Sequence, residues 1–255
     1  MRFLASLILS LAFASLGTTQ TLANSGSLAH FQSGGGWSTT FFLFNTGTVA
    51  AKVQLNFFDD NGNVAVIPLS FPQLLIAPKS AAEFQYTLQP GTVLTVLSDS
   101  SDATGITGWA QLETDANVNG YLIFRYAGTS GTGVQEALVT PETRNGKSYV
   151  IDFDNTDQHF TTFAIANLTI QPVTVMATAR DAVTGGILGT QSYTLPAMGH
   201  KALMLSDFLS QTSAASGTVE FTSPVAGQIS VLGLRFTQSS PTTYAFTSTP
   251  PILKQ

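Results

Sequence analysis

The sequence predicts an all-β chain folded as two tandem β-sandwich modules. Three observations carry this reading. The composition is rich in Thr, Val, Gly and Phe and poor in Lys and Glu, which suits strands over helices. Apolar and polar side chains alternate with a period of two in many short segments. An internal repeat also runs through most of the chain.

The elements follow in order. Met1-Arg2 and the apolar run Phe3 to Leu16 are built like a secretory leader, with cleavage expected after Ala23 (Thr21-Leu22-Ala23) and Ala14 as the second choice. The run has about 14 residues, short of the roughly 20 that span a bilayer. The stretch "GGGWSTTFFLFNTGT", Gly34 to Thr48, is a loop followed by the first full strand. It is no phosphate cradle, because a strand follows the glycines where a helix would be needed. In the next strand Val53, Leu55 and Phe57 alternate with Lys52, Gln54 and Asn56. "DDNGN", Asp59 to Asn63, holds an Asn-Gly turn signal. Phe84, Tyr86 and Leu88 alternate with Glu83, Gln85 and Thr87. "PETRNGKS", Pro141 to Ser148, is polar and separates two apolar strands. The expected division is a leader at 1–23, module 1 at 24–141, a linker at 142–148 and module 2 at 149–255. The one helix expected is a turn or two at Leu205 to Gln211, capped by Ser206.

The repeat aligns Trp37–Gly62 with His159–Gly185. Thr39-Thr40-Phe41 falls on Thr161-Thr162-Phe163, Asn45 on Asn167 and Asp59 on Asp181, all at one offset. Further landmarks pair Pro78 with Pro196, Gly108 with Gly217, and Arg125 with Arg235. The offset shrinks along the way, so module 1 carries extra residues between Asp59 and Gly108.

The stretches "FDNTDQHFTTFAIAN", "LPAMGHKALML" and "GTVEFTSPVAGQISVLGLRF", with the upstream "GGGWSTTFFLFN" and "GYLIFR", resemble uncharacterised secreted β-rich proteins of acidobacterial type. The resemblance covers nearly the whole chain after the leader. It implies a secreted product and carries no catalytic residues to transfer. "NTGTVAAKVQLNFFDDNG" is loosely similar to the early strands of bacterial immunoglobulin-like adhesion modules, which makes immunoglobulin-like the expected type of sandwich.

Charge narrows the function. Charged residues are 10% of the chain, 15 acids face 10 bases, and the net charge of −5 comes with no basic cluster, so nucleic acid is not an expected partner. The absence of cysteine removes disulfides, thiolate metal sites and a thiol nucleophile. No G-x-S-x-G elbow is present. His30, His159 and His200 show no metal-ligand spacing and read as surface or turn histidines.

Three groups remain as candidates. Asp152, Asp154, Asn155 and Asp157 set hard oxygen ligands at alternate positions, which suits calcium; the competing reading is an Asx turn. Trp37, Trp109, Tyr121 and Tyr126 could form an aromatic platform for sugar rings, or pack in the core. Arg125 sits in an apolar strand, opposite Glu136 if Ser130 and Gly131 centre the hairpin, and Arg235 is expected to pair with Glu220.

The expected protein is secreted or held at the cell surface or periplasm of a bacterium. It is expected to be non-enzymatic, with no cofactor beyond calcium and no membrane span once the leader is removed. Its expected role is adhesion or scaffolding with an extracellular protein or glycan. The alternative is a non-catalytic carbohydrate-binding protein using an aromatic patch on module 1.

Overall fold

The structure, a computed structural model, describes residues 21–99, 103–127, 134–240 and 243–254. The leader expected at 1–23 lies outside the described residues as far as residue 20, and so does the Ser130-Gly131 turn.

The fold is all-β. The strands are β1 (Ala23–Ser33), β2 (Trp37–Asn45), β3 (Ala51–Asp59), β4 (Ile67–Leu69), β5 (Lys79–Ala81), β6 (Glu83–Leu88), β7 (Val93–Asp99), β8 (Ile106–Thr114), β9 (Val118–Ala127) and β10 (Val134–Val139). They continue as β11 (Ser148–Asp154), β12 (His159–Asn167), β13 (Val173–Asp181), β14 (Ile187–Leu195), β15 (His200–Met204), β16 (Ser216–Thr222), β17 (Ile229–Ser240), β18 (Thr243–Thr249) and β19 (Ile252–Lys254). One short helix, α1 (Leu205–Phe208), and a 3-10 turn at Ser210–Thr212 lie between β15 and β16. Met204, not Ser206, is the N-cap residue, and no side chain caps the helix. No helix among the described residues is long and apolar enough to cross a membrane.

Four sheets carry the molecule. Sheet I runs β1-β8-β3-β6, sheet II β10-β9-β2-β7, sheet III β14-β13-β16-β11-β19 and sheet IV β15-β12-β17-β18. Sheets I and II draw only on the first half of the chain, III and IV only on the second. The strand orders match one for one: β1, β8, β3 and β6 correspond to β11, β16, β13 and β14, and β10, β9, β2 and β7 to β18, β17, β12 and β15. The extra residues of the first half form the β4–β5 hairpin, between β3 and β6.

The expectation of two self-contained immunoglobulin-like sandwiches in tandem needs correction. The four sheets form a propeller-like set of four units, because sheet IV buries both of its faces. Phe163, Ile165 and Val231 join the core of the second half. Ala164, Leu232 and Leu234, on the opposite face, join the core of the first half, along with Phe246.

The same bonds recur in both halves. Asn45 and Asn167 are fully buried, and each amide ties three chain segments. Asn45 donates to the carbonyls of Val49 (2.8 Å) and Leu88 (3.0 Å) and accepts from Gly47 N–H (2.9 Å). Asn167 donates to Gln171 (2.8 Å) and Pro196 (2.7 Å) and accepts from Thr169 N–H (2.9 Å). Thr39 exchanges two hydrogen bonds with the backbone of Gln32, and Thr161 does the same with Asp154. A Cβ on Gly108 would stand 1.9 Å from Phe58 O, and one on Gly217 1.8 Å from Arg180 O, so both positions exclude every larger residue. Asp59 and Asp181 each accept two backbone N–H groups of the following turn.

Two repeat landmarks need correction. The β3–β6 and β13–β14 registers place Tyr86-Thr87-Leu88 on Tyr193-Thr194-Leu195; Pro78 lies in the added hairpin and does not match Pro196. Arg125 faces Ser38 on β2, whereas Arg235 faces Thr161 on β12, the counterpart of Thr39. Arg235 therefore matches Phe124, and Arg125 matches Phe236. A slip of one residue puts the two arginines on opposite faces of their sheets.

β1 was not expected as a strand. Its residues from Ser27 to Phe31 are buried, because sheet I pairs with it and sheet IV covers its other face. A strand enclosed on both faces shows no alternation. The expected linker is sewn to it: Ser27 and Glu142 exchange backbone hydrogen bonds of 3.1 and 2.8 Å. Arg144 donates to the Glu142 carboxylate and to Pro251 O.

Replacing Asn45 or Asn167 by Ala leaves two carbonyls and one N–H without their side-chain partner. Each change is expected to lower stability by about 2–4 kcal/mol. Urea melts of Asn45→Ala and Asn167→Ala check this; a loss below about 0.5 kcal/mol would show that the amides are dispensable.

Candidate functional site

The seam between the halves begins with a turn. Asp59 holds the Asp59–Asn63 turn, and Gly62 lies in the left-handed region at φ 82°. A Cβ there would stand 1.8 Å from Ala197 O, so only glycine lets this turn meet the loop after β14. The turn presents Asp60, whose carboxylate lies 2.7 Å from His200 Nδ1 and whose carbonyl accepts His200 N–H at 3.2 Å. His200 Nε2 lies 3.3 Å from His30 Nδ1 on β1. These contacts link the His30 ring, the His200 ring and the Asp60 carboxylate in one continuous chain. Beside it Trp109 is fully buried, donates to Met198 O at 2.7 Å and stacks on Phe58 at 4.9 Å.

Burial, with a smaller contribution from neighbouring His200, lowers the pKa of His30 to about 3. Its ring meets Phe124 edge-on at 5.2 Å. The imidazole is thus neutral at ordinary pH, a hydrogen-bonding group without charge.

Next to this chain the halves part and leave a cleft of about 320 Å³. Its walls include His30, Gln32, Trp37, Asp60, Phe124 and Phe236. Trp37 is half buried and meets Tyr126 at 4.7 Å and Phe246 at 5.5 Å, both in tilted ring contacts. Thr107 and Thr162 add hydroxyl groups to the lining.

The four aromatics expected as one platform are not brought together. Trp37 and Tyr126 meet at the cleft, while Trp109 is sealed in the seam. Tyr121 lies on the outer face of sheet II, against Phe42 at 5.1 Å and Phe44 at 5.7 Å. The histidines read as surface residues also need correction, since His30 and His200 are both buried. Sequence spacing carries no sign of this contact, which joins residues in opposite halves of the chain.

The oxygen cluster of the second half is engaged internally. Asp154 accepts from Thr156 N–H and hydroxyl and from Arg235 Nη2, the last at 3.0 Å, and the Thr156 hydroxyl is the main cause of its lowered pKa. Asn155 donates to Thr212 O and accepts from Thr161 N–H. Asp152 and Asp157 are exposed, the latter at φ 53°. These are Asx-type brackets. Among the described residues no three His, Cys, Asp or Glu side chains gather as a metal site.

Arg125 and Glu136 face each other across β9 and β10, as the hairpin arithmetic required. Their closest approach is 3.8 Å at 46% and 55% exposure, so the pair contributes about 0–1 kcal/mol at most. Arg235 pairs with Asp154; the expected Glu220 instead binds Lys254 at 2.6 Å.

No family model matches this chain, and no curated protein does. Among solved structures, a β-glucuronidase from glycoside hydrolase family 2 aligns at 8% identity with a TM-score of 0.17, over 94% of this chain and 26% of that one. The chain thus spans about a quarter of that enzyme, a likeness too slight to carry a functional argument.

The His30 shift has a defined pH consequence. Its folded pKa lies below the unfolded value of about 6.5, so the unfolded chain binds the extra proton between pH 6.5 and 3. Stability is therefore fully present above pH 6.5 and falls as the pH drops toward 3. From pH 7 to 5 the loss is expected to be on the order of 2 kcal/mol. Denaturant melts at pH 7, 6 and 5 measure it, and His30→Phe should flatten the dependence. An unchanged slope in that variant would remove His30 as its source.

Proposed function

We propose that this is a secreted, non-enzymatic binding protein of the bacterial surface or its surroundings, and that it holds a neutral glycan segment in the cleft between its halves. The observation that carries the reading is the half-buried Trp37 on the wall of a cleft of about 320 Å³. A sugar offers C–H faces that stack on such a ring and hydroxyls that bond to uncharged polar groups. Gln32, Thr107 and Thr162 supply groups of that kind. His30, with a pKa near 3, is poorly matched to general base work near neutrality, which supports binding over catalysis.

In this reading the leader is removed after Ala23, and 24–141 and 149–255 are two copies of one ancestral β-sheet unit joined by 142–148. The equal strand orders and repeated side-chain bonds support the common origin. A second role, adhesion or scaffolding, is favoured by the aromatic outer face of sheet II.

A glycan array followed by titration calorimetry tests the cleft. Trp37→Ala is expected to weaken the best neutral glycan by about tenfold or more, while Tyr121→Ala leaves it unchanged. Absence of glycan binding, or a Trp37→Ala protein that binds as wild type, contradicts the proposal.

A further inference from the structure

β15 is an edge strand of sheet IV. It pairs with β12 alone, and it opens on His200. Ala202, Leu203 and Met204 of the same strand stand in the wall of the cleft, together with His30 and Asp60. Whatever holds the start of β15 against the first half therefore also sets the position of a cleft wall. Two elements of the first half grip His200 there. The Asp60 turn holds it through the carboxylate at 2.7 Å and the carbonyl at 3.2 Å, and β1 holds it through His30 Nδ1 at 3.3 Å.

Two facing ring nitrogens can share one proton but cannot hold two. With one ring charged the contact survives as a hydrogen bond, and Asp60 lies against His200 to offset the charge. With both rings charged, each facing nitrogen carries its own proton, and two cations meet in a buried seam. Among the described residues no second carboxylate reaches them. The other charged or titratable groups on the elements packed against β1 are placed elsewhere. Arg125 faces Glu136, Arg235 binds Asp154, and His159 bonds Thr237. Glu113 stands opposite Asn24, Tyr126 lies against Trp37, and Tyr121 lies on the outer face of sheet II. Lys201 lies among Phe163, Ile165 and Phe208 of the second half.

We propose that the His30–His200 contact is an acid-sensitive latch: a second proton parts the rings, frees the start of β15 from the first half and loosens the cleft wall, so that bound glycan is released on acidification. The release rests on the glycan reading of the cleft; the latch does not. The direction follows from where the proton binds. Burial, and after it His200, hold the pKa of His30 at about 3 in the closed contact, against about 6.5 for a ring in water. The parted form thus takes up the extra proton between pH 6.5 and 3, and acid draws the equilibrium toward it. The ratio of parted to closed form rises about twentyfold from pH 7 to pH 5. Ala164, Leu232 and Leu234 carry no titrating group and keep sheet IV on the first half, so the movement is that of β15 and its turn.

Native-state amide hydrogen exchange of the purified protein at pH 7, 6 and 5, corrected for the intrinsic pH dependence of exchange, tests the latch. The reporter is His200 N–H, which crosses the seam to Asp60 O. The reference is the amide of Leu55, in the middle of sheet I. Opening at His200 is expected to rise about twentyfold from pH 7 to pH 5, with Leu55 better protected at each pH. His30→Gln, which keeps a hydrogen-bonding side chain without titrating, should remove the rise; His30→Phe, which also cannot titrate, is the second variant should the first not fold. A His200 amide that opens only together with Leu55 overturns the proposal, because no separate movement of β15 then exists. A rise that persists in the variants overturns it as well. For release, the best glycan from the array is titrated at pH 7 and pH 5. A neutral glycan does not itself titrate, so at least about threefold weaker binding at pH 5, absent in the variants, is expected. Equal affinity at both pH values overturns the release. No glycan binding at either pH fails the glycan reading instead, and the amide result then decides the latch by itself.

Discussion

The burial of sheet IV on both faces is the constraint from which the rest of the molecule follows. Its outer face carries Ala164, Leu232 and Leu234, and leaving such side chains in water costs about 1.5–3 kcal/mol for each large one. The first half covers them with β1, which is why β1 has neither a solvent face nor an alternating pattern. Close approach brings polar groups along, and each needs a partner in the dry seam. Trp109 finds Met198 O, and His200 finds Asp60 and His30. At Gly62 the two backbones come so close that no side chain fits between them. Where coverage ends, beside Trp37 and Phe236, a cleft remains. The candidate binding site is thus a consequence of how the halves meet.

Duplication and divergence can be separated residue by residue. Buried bonds within each half are retained: the Asn45 and Asn167 amides, the Thr39 and Thr161 hydroxyls, and the glycines at 108 and 217. These act inside one half, so neither copy is free to lose them. The outer faces have diverged. Ala164 and Ala166 stand where the first half has Phe42 and Phe44, and the small side chains let a neighbouring element approach the sheet. The copy with alanines is the one covered by its sister.

Much of the fold was legible in the sequence because short-range rules govern it. Alternation located β3 and β6, and the Asp59 turn placed Gly62 at positive φ. The hairpin count put Arg125 opposite Glu136. Long-range features were not legible. Arg125 and Arg235 differ in register by one residue, which changes the face each side chain occupies, and the Tyr-Thr-Leu correspondence of β6 and β14 shows only in the strand pairing. Trp109 looked available for a sugar because its cover comes from Met198, far along the chain. The contact of His30 with His200 spans 170 positions, beyond the reach of any local pattern.

The central claim is that the two halves are one cooperative structure joined through sheet IV. Differential scanning calorimetry of the purified protein at neutral pH tests it most directly. The account predicts a single transition whose calorimetric and van't Hoff enthalpies agree. Two resolved transitions, one for each half, would contradict it.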